Sequence, residues 1–268
     1  MKSLLAALAC IPLALFGASV EGEKTGQIRV IPVEPTPEPN EVETRIAFQD
    51  TGEVKKENPV TVQFRLEAYP LGFNSDFLRA REIYDSPEGQ SLHIIVDGQE
   101  YFAVNEAIDD VTENEEIDFD QTIETRIPFN LYPGIHIIRA FPVRSYGESL
   151  KGPRCFAADY FYFGSAQSKP SIDLSKPYLT YNMPDGSYDG SQPILLDFYL
   201  TNTQLSKDGY QVRLTIDGTD KRLLTAWVPH YIYGLKKGSH TIKLELLDPN
   251  KKVIPPLFND LQRTITVK

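Results

Sequence analysis

Apolar and polar residues alternate along many short stretches of this chain. One such stretch runs from Val212 to Ile216, and another runs from Thr241 to Leu246. An alternation with a period of two puts every second side chain on one face, which is typical of a β-strand with one buried face. After the first stretch, Asp217-Gly218 predicts a turn, because glycine accepts a positive φ and aspartate hydrogen-bonds its own turn backbone.

The same order of features occurs twice. The segment 92–98 matches 212–218, and a Gly-x-His strand entry follows each, at Gly134 and at Gly238. The recurrence predicts two copies of one all-β module. We interpret each histidine as structural, hydrogen-bonding backbone at the strand entry, and we expect each glycine to need a conformation closed to other residues.

Each copy offers about seven short strands separated by turn signals and no long amphipathic helix, which predicts a sandwich of two antiparallel sheets. The Val/Ile-Asp-Gly strand, the Leu-x-x-Gly-x-His entry and the terminal strand 263–267 resemble those of immunoglobulin-like or fibronectin-III-like domains of bacterial envelope proteins. The resemblance covers residues 44–268 and implies two tandem immunoglobulin-like sandwiches. It also implies adhesion, spacing or ligand presentation rather than catalysis.

The beginning of the chain differs from the rest. An apolar run from Leu4 to Phe16 precedes Gly17-Ala18-Ser19 and is shorter than the ~20 residues of a membrane span, so it indicates a secretion signal. Cys10 raises the alternative of a lipid anchor, which Ala7 disfavours because a leucine is expected there. The predicted parts are a signal peptide (1–19), a Pro-rich spacer (20–43), sandwich one with two inserts (44–165), a linker (166–176) and sandwich two (177–268).

The cysteine content and the net charge indicate which compartment and which partners suit this protein. Removing the signal leaves Cys155 as the only cysteine, so no internal disulfide forms and we interpret this thiol as buried and structural. No Asn-x-Ser/Thr sequon occurs, which favours a bacterial protein of the periplasm, outer membrane or exterior. A net charge of −10 argues against nucleic acid and anionic membranes as partners, leaving a protein or a glycan.

An acidic insert raises the question of a metal. The segment 105–120 holds eight carboxylates that could bind calcium, which takes six to eight oxygen ligands. The order Asp-x-Asp-x-Asp-Gly of a known calcium loop is missing, so we expect a solvated loop, and no cofactor is predicted. The candidate ligands are Asp109, Asp110, Glu113, Glu115, Glu116, Asp118 and Asp120.

Tyrosines are the candidate binding residues, because planar rings stack on sugars or anchor protein partners. They are Tyr146, Tyr178, Tyr181 and Tyr188. The first copy alone carries long segments, at 74–90, 105–120 and 144–152, so we expect it to give specificity. No catalytic motif is present, and we expect a non-enzymatic binding or structural protein that acts by protein–protein interaction or adhesion. The alternatives are a carbohydrate-binding module and the accessory domains of a secreted hydrolase.

Overall fold

The computed structural model describes residues 28–38, 44–106, 120–166, 173–255, 258 and 260–268. A four-residue helix, α1 (Arg79–Glu82), is accompanied by seventeen strands. The strands up to the linker are β1 (Arg29–Pro32), β2 (Arg45–Phe48), β3 (Val54–Lys55), β4 (Thr61–Glu67), β5 (Ser91–Val96), β6 (Phe102–Val104), β7 (Gln121–Arg126), β8 (Gly134–Val143) and β9 (Ala157–Phe163). Those after it are β10 (Tyr178–Met183), β11 (Ser187–Tyr188), β12 (Ile194–Thr201), β13 (Gln211–Ile216), β14 (Asp220–Leu224), β15 (His230–Tyr233), β16 (Gly238–Leu247) and β17 (Asp260–Val267).

Both copies have the same sheet topology. The first pairs a sheet of order β2-β4-β7 with a sheet of order β3-β9-β8-β5-β6. The second repeats these orders as β10-β12-β15 and β11-β17-β16-β13-β14, so every strand from β2 to β9 has a counterpart eight numbers later. Each copy also contains one parallel pair, β3 with β9 and β11 with β17. The all-β, immunoglobulin-like sandwich fold predicted from the sequence is confirmed.

Alternation along the strands builds a core inside each sandwich. In β4, Val62, Phe64 and Leu66 are fully buried while the residues between them are more exposed. In β13, Val212 and Leu214 point into the second core in the same way. Burying apolar side chains in this way is the main favourable term for each sandwich.

The two strand entries have matching hydrogen bonds. His136 Nδ1 lies 2.8 Å from Asp97 Oδ2, and its Nε2 lies 2.9 Å from the Tyr132 carbonyl. His240 repeats this with Asp217 and the Lys236 carbonyl, both at 2.7 Å. The structural interpretation of the two histidines is therefore confirmed.

The glycines at the two strand entries have the unusual backbone conformation expected of them. Gly134 has φ +156° and Gly238 has φ +139°, in a region that L side chains rarely adopt. Nothing lies within 4 Å of where a Cβ would stand at either position, so the backbone angle alone selects glycine.

One strand comes from the predicted spacer. β1 pairs antiparallel with β15, from Arg29 opposite Tyr233 to Pro32 opposite His230, and so extends the sheet of the second sandwich. The interpretation of 20–43 as a plain spacer is therefore wrong for this strand. The edge of β15 offers unpaired backbone groups, and Ile28 and Val30 pack against the second core, which explains the docking.

The sandwiches pack face to face. Ile95, Phe141 and Val143 on the first copy form an apolar cluster with Tyr199 of the second. Strands β5 and β8 are consequently buried on both faces, and every residue of β5 is buried. This explains why β5 contains the continuous run Ile94-Ile95-Val96 instead of a strict alternation.

Cys155 lies in the core of the first sandwich. Cys155 is 3% exposed with its Sγ 3.4 Å from the Thr44 carbonyl, and burial raises the pKa of its thiol to about 12. It is thus the buried structural residue that was predicted. No helix within the described ranges has the length and hydropathy needed to cross a bilayer.

Candidate binding site between the modules

The insert between β4 and β5 lies at the junction of the two sandwiches, where its Ile83 packs with Leu195 and Tyr231 of the second. Its base is closed by backbone hydrogen bonds from Gly72 N to the Gln90 carbonyl and from Gln90 N to the Phe73 carbonyl. The insert contains the short helix α1. Four of its apolar side chains face solvent: Phe73 (45% exposed), Phe77 (38%), Leu78 (77%) and Tyr84 (59%).

A cavity of about 170 Å³ lies beside this insert, between the two sandwiches. The insert supplies one wall, strands β5 and β6 supply another, and the second sandwich closes the third. Most of the lining is apolar or aromatic. The lining includes Ile83, Tyr84, His93, Tyr101, Ala103, Met183, Tyr188 and Leu195.

His93 is a buried polar residue in the lining of the cavity. Its Nδ1 lies 2.8 Å from Asn182 Oδ1. The Asn182 amide nitrogen donates to Asp197 Oδ2 at 2.7 Å and to the Gly147 carbonyl at 2.8 Å, which fixes the amide with its oxygen toward the histidine. The Nδ1 atom must then carry the proton, because an amide oxygen only accepts.

When the ring is neutral, the proton on Nδ1 leaves the lone pair on Nε2. Burial lowers the pKa of His93 to about 3, so the ring carries no charge at neutral pH. The ring also stacks on Tyr101, with centroids 3.8 Å apart and planes 10° apart, which fixes its orientation. His93 is thus a neutral ring with a fixed orientation in the lining of the cavity.

Several other polar groups around the cavity have hydrogen-bond partners within the protein. Glu88 Oε2 accepts from Asn105 Nδ2 at 2.7 Å, and Ser145 Oγ accepts from Ser75 N at 3.0 Å. Arg144 donates to the Pro37 carbonyl at 2.6 Å. The lining of the cavity is therefore mainly apolar and aromatic, with His93 as its buried polar ring.

A buried carboxylate joins the sandwiches next to the site. Asp197 accepts from Ser149 Oγ at 2.6 Å, from Lys151 Nζ at 2.7 Å and from Asn182 Nδ2 at 2.7 Å. Two of these donors come from the first sandwich and the third from the second. The network sets the position of Asn182 and, through it, of His93.

The N-terminal segment (residues 28–38) supports the cavity from behind. After leaving β15, it reaches the first sandwich at Thr36, whose N–H and Oγ1 donate to the two carboxylate oxygens of Glu148 at 2.9 and 2.6 Å. Glu148 also forms a buried ion pair with Arg79. Tyr146 donates to Thr36 Oγ1 at 2.9 Å, so the segment holds a residue of the cavity wall.

The four predicted tyrosines do not form an exposed cluster. Tyr178 and Tyr181 are 2% and 1% exposed, so the interpretation of their rings as surface platforms is wrong: the first packs on Phe258 and the second lies against Arg263. Tyr146 and Tyr188 both line the cavity, although Tyr146 is buried.

The segment 144–152, one of the long segments expected to give specificity, is mostly buried and is not an exposed surface loop. Arg144, Tyr146, Glu148 and Leu150 are all buried, because the loop forms part of the contact with the N-terminal segment and the second sandwich. Met183, Tyr188 and Leu195 of the second copy also line the cavity, so both copies form it, whereas specificity was expected from the first copy.

The acidic insert lies mostly outside the described residues, which include Asp120 of the candidate ligands and exclude Asp109, Asp110, Glu113, Glu115, Glu116 and Asp118. Asp120 accepts from Ala68 N at 3.1 Å and from Arg65 at 3.4 Å, so it joins the start of β7 to the end of β4. Within the part of the chain that the structure describes, no group of three or more His, Cys, Asp or Glu residues is arranged to hold a metal ion.

Sequence reasoning missed the role of His93. The available signal was a titratable residue inside an otherwise apolar strand, between Leu92 and Ile94. A polar side chain at such a position needs a partner, because burying an unpaired polar group is costly. The partner, Asn182, lies in the other copy and gives no local sequence signal.

The sequence matches no protein family profile and no curated protein. Fibronectin(III)-like modules of Clostridium thermocellum CbhA are 12% identical, with 83% of this chain and 94% of that chain covered and a TM-score of 0.26. The Bacteroides ovatus glucan-utilization protein SGBP-B is 12% identical, covering 83% of this chain and 45% of that chain, with a TM-score of 0.23. The calcium-binding domain CBD12 of CALX1.1 is 9% identical, covering 79% and 82%, with a TM-score of 0.22. At these scores the likeness supports no argument about ligands, and the fold assignment rests on the sheet topology.

Proposed function

We propose that this chain is an exported, non-enzymatic binding protein of a bacterial envelope that captures a protein segment at the junction of its sandwiches. The observation that carries the proposal is the cavity beside the solvent-facing apolar side chains of the insert. Exposed apolar groups next to a concave site are typical of protein-interaction surfaces.

The cavity fits an aromatic anchor residue. An aromatic ring entering it would pack on Tyr84, Tyr101 and Leu195, and a donor on that ring would meet His93 Nε2. Tyrosine and tryptophan combine a large apolar body with one O–H or N–H donor, and both are enriched at the centre of protein interfaces. The partner is therefore a protein segment that presents a tyrosine or tryptophan.

The same cavity is less suited to a sugar. A sugar ring carries several hydroxyl groups, each needing a partner when it is buried. Around this cavity Glu88, Ser145 and Arg144 are already engaged with other groups. Solvent-facing Phe77 and Leu78 on the insert also favour contact with apolar protein surface.

Export is supported by the apolar run Leu4–Phe16 followed by small residues. Expression in a bacterial host and N-terminal sequencing of the periplasmic product should give a mature end near residue 20. Retention of the intact chain in the cytoplasm would count against export while leaving the cavity proposal in place.

Binding is tested with small probes of the anchor. N-acetyl-tryptophanamide and N-acetyl-tyrosinamide should shift the NMR signals of His93 and Ala103. N-acetyl-phenylalaninamide, which lacks the donor, should bind about five-fold more weakly, the loss expected for one hydrogen bond of about 1 kcal/mol. Methyl glucoside serves as the carbohydrate probe.

The two copies provide a matched control. Ala103 on β6 pairs with His93, and Leu223 on β14 pairs with Arg213 at the equivalent place of the second sandwich. Ala103→Trp should fill the mouth of the cavity and abolish binding, whereas Leu223→Trp should leave it unchanged. If methyl glucoside binds the wild type and Ala103→Trp abolishes that binding, the ligand is a carbohydrate instead. The proposal is overturned if Ala103→Trp affects the binding of none of the probes.

A further inference from the structure

Strand β6 is the outermost strand of the larger sheet in the first sandwich. On one side it pairs with β5, from Leu92 opposite Val104 to Ile94 opposite Phe102. No strand pairs with its other side within the described part of the chain. Such an outermost strand presents unpaired N–H and C=O groups, which can pair with another extended chain.

The hydrogen bonds of β5 determine which backbone groups of β6 face this open edge. Asp97 N donates to the Ile137 carbonyl of β8. Hydrogen-bonded and non-hydrogen-bonded pairs alternate along an antiparallel ladder, so His93, four residues earlier, also directs its N–H and C=O toward β8. Ala103 lies opposite His93 and therefore directs its own N–H and C=O away from β5, toward the open edge.

The open edge and the cavity meet at Ala103. Neither backbone group of Ala103 has a hydrogen-bond partner among the described residues, and the residue is exposed. Side chains two residues apart lie on one face of a strand. Tyr101, Ala103 and Asn105 are related in this way, and all three line the cavity.

The second sandwich has an equivalent open edge without the cavity. Asp217 N donates to the Thr241 carbonyl, which sets the same alternation along β13. Leu223 lies opposite Arg213 on β14 and so directs its N–H and C=O outward, as Ala103 does. Its side chain is 53% exposed and does not line the cavity. Leu223 is therefore a matched reference for Ala103.

This chain already extends one of its sheets by an added strand. The N-terminal strand β1 pairs with the edge of β15 through four residues, from Arg29 opposite Tyr233 to Pro32 opposite His230. An edge of this protein thus accepts an extended segment that comes from a distant part of the sequence.

We propose that the captured segment binds as an extended strand antiparallel to β6, with its anchor residue directly opposite Ala103; this inference rests on the proposed function. In that register the anchor N–H donates to the Ala103 carbonyl, and Ala103 N–H donates to the anchor carbonyl. The anchor side chain then lies on the cavity face. Opposite side chains are ~5 Å apart, and the small side chain of Ala103 leaves room for a ring to reach toward His93.

The charge around β6 indicates what flanks the anchor. Glu100 and Glu106 lie just beyond the two ends of β6, and both are exposed. In the proposed register they lie opposite the residues three positions before and after the anchor. Opposite charges on neighbouring strands attract, so lysine or arginine suits these two positions.

The test uses the peptide acetyl-Lys-Val-Thr-Trp-Thr-Val-Lys-amide and two N-methylated forms. N-methylation at the tryptophan removes the N–H that donates to Ala103 and should weaken binding about five-fold, the factor that corresponds to the loss of one hydrogen bond. N-methylation at the threonine that follows removes an N–H that points away from β6, so it should leave the affinity unchanged.

Hydrogen exchange gives a second readout on the protein itself. The exposed Ala103 N–H should exchange quickly in the free protein and slowly when the unmethylated peptide saturates the site. Leu223 N–H is the control, because it faces the equivalent edge of β14 and should exchange at the same rate with and without peptide.

Equal weakening by the two N-methylations, with no slowing of exchange at Ala103, would overturn strand addition and leave the cavity proposal in place. Failure of the cavity proposal looks different, since neither the amide probes nor the peptide would then shift the NMR signals of His93. A free protein that elutes as a dimer with Ala103 N–H already protected would assign the edge to a second copy, which also overturns the inference.

Discussion

At the scale of single residues, the most informative groups are the four histidines, which fall into two opposite classes. In His136 and His240, both ring nitrogens face oxygen acceptors, so both must carry protons. Burial lowers their pKa, but the hydrogen bonds to aspartate and to a backbone carbonyl outweigh it, and the pKa of each is raised. In His93 and His230, burial dominates and lowers the pKa to about 3 and about 4.

These classes predict a maximum of stability near the ordinary histidine pKa of about 6.5. The raised pair stabilises the fold fully below that value, and its contribution is lost as pH rises through the folded pKa values. The lowered pair, His93 and His230, stabilises above it, and that contribution is lost as pH falls. Urea denaturation between pH 4 and 9 should show the free energy of unfolding falling on both sides.

Substitution separates the two arms of this profile. The double variant His136→Gln, His240→Gln should lose the decline above pH 6.5 and keep the decline on the acid side. An unchanged alkaline arm in this variant would show that the two aspartate–histidine pairs do not cause it.

A second prediction at this scale concerns the backbone at Gly238. Its φ of +139° should make Gly238→Ala cost roughly 1–3 kcal/mol in the free energy of unfolding, because alanine is strained there although no atom blocks its Cβ. Gly98→Ala is the control, since Gly98 has equal open space and no positive φ. Equal costs at the two sites would show that the repeated glycine has another cause.

At the scale of elements, the features that follow from local sequence were predictable, and those that depend on pairing with distant residues were not. Strands such as β13 and turns such as Asp217-Gly218 follow from a period of two and from turn chemistry, both of which are local. The docking of β1 was missed, because its partner β15 lies about two hundred residues away and edge pairing has no sequence signal. The burial of Arg139 and of loop 144–152 was missed for the same reason, since part of their polar partners come from the other copy and from the N-terminal segment.

The N-terminal segment gives the prediction at this scale. Thr36→Val removes the hydroxyl that donates to buried Glu148, leaving a buried carboxylate short of one donor. We expect a loss of about 1–3 kcal/mol in the free energy of unfolding. Thr51→Val is the matched control, because its hydroxyl makes a bond of the same 2.6 Å length to Asp159 in an exposed setting, and it should cost below about 0.5 kcal/mol. Equal losses would mean that the segment adds little through Thr36.

At the scale of the whole molecule, the contact between sandwiches resembles a core more than a linker contact. It contains apolar clusters, among them Ile137 with Tyr178 and Phe258, and a carboxylate, Asp197, whose side chain is completely buried. Separating the sandwiches would expose the apolar surface and leave the polar groups to find new partners. The repeated sequence pattern predicted two independent modules, whereas this contact favours one unit.

The last prediction is therefore that the halves fold and stay together. A protease site placed in the linker 166–176 should be cut without separating the fragments, which should co-elute in gel filtration and unfold in one calorimetric transition. Asp197→Arg should separate them, because the new cation faces Lys151 where the carboxylate bound it at 2.7 Å. Asp208→Arg, at an exposed position of the same sandwich, should not. If the cut wild-type fragments part and each unfolds cooperatively by itself, the modules are independent, and the cavity between them depends on a weak contact.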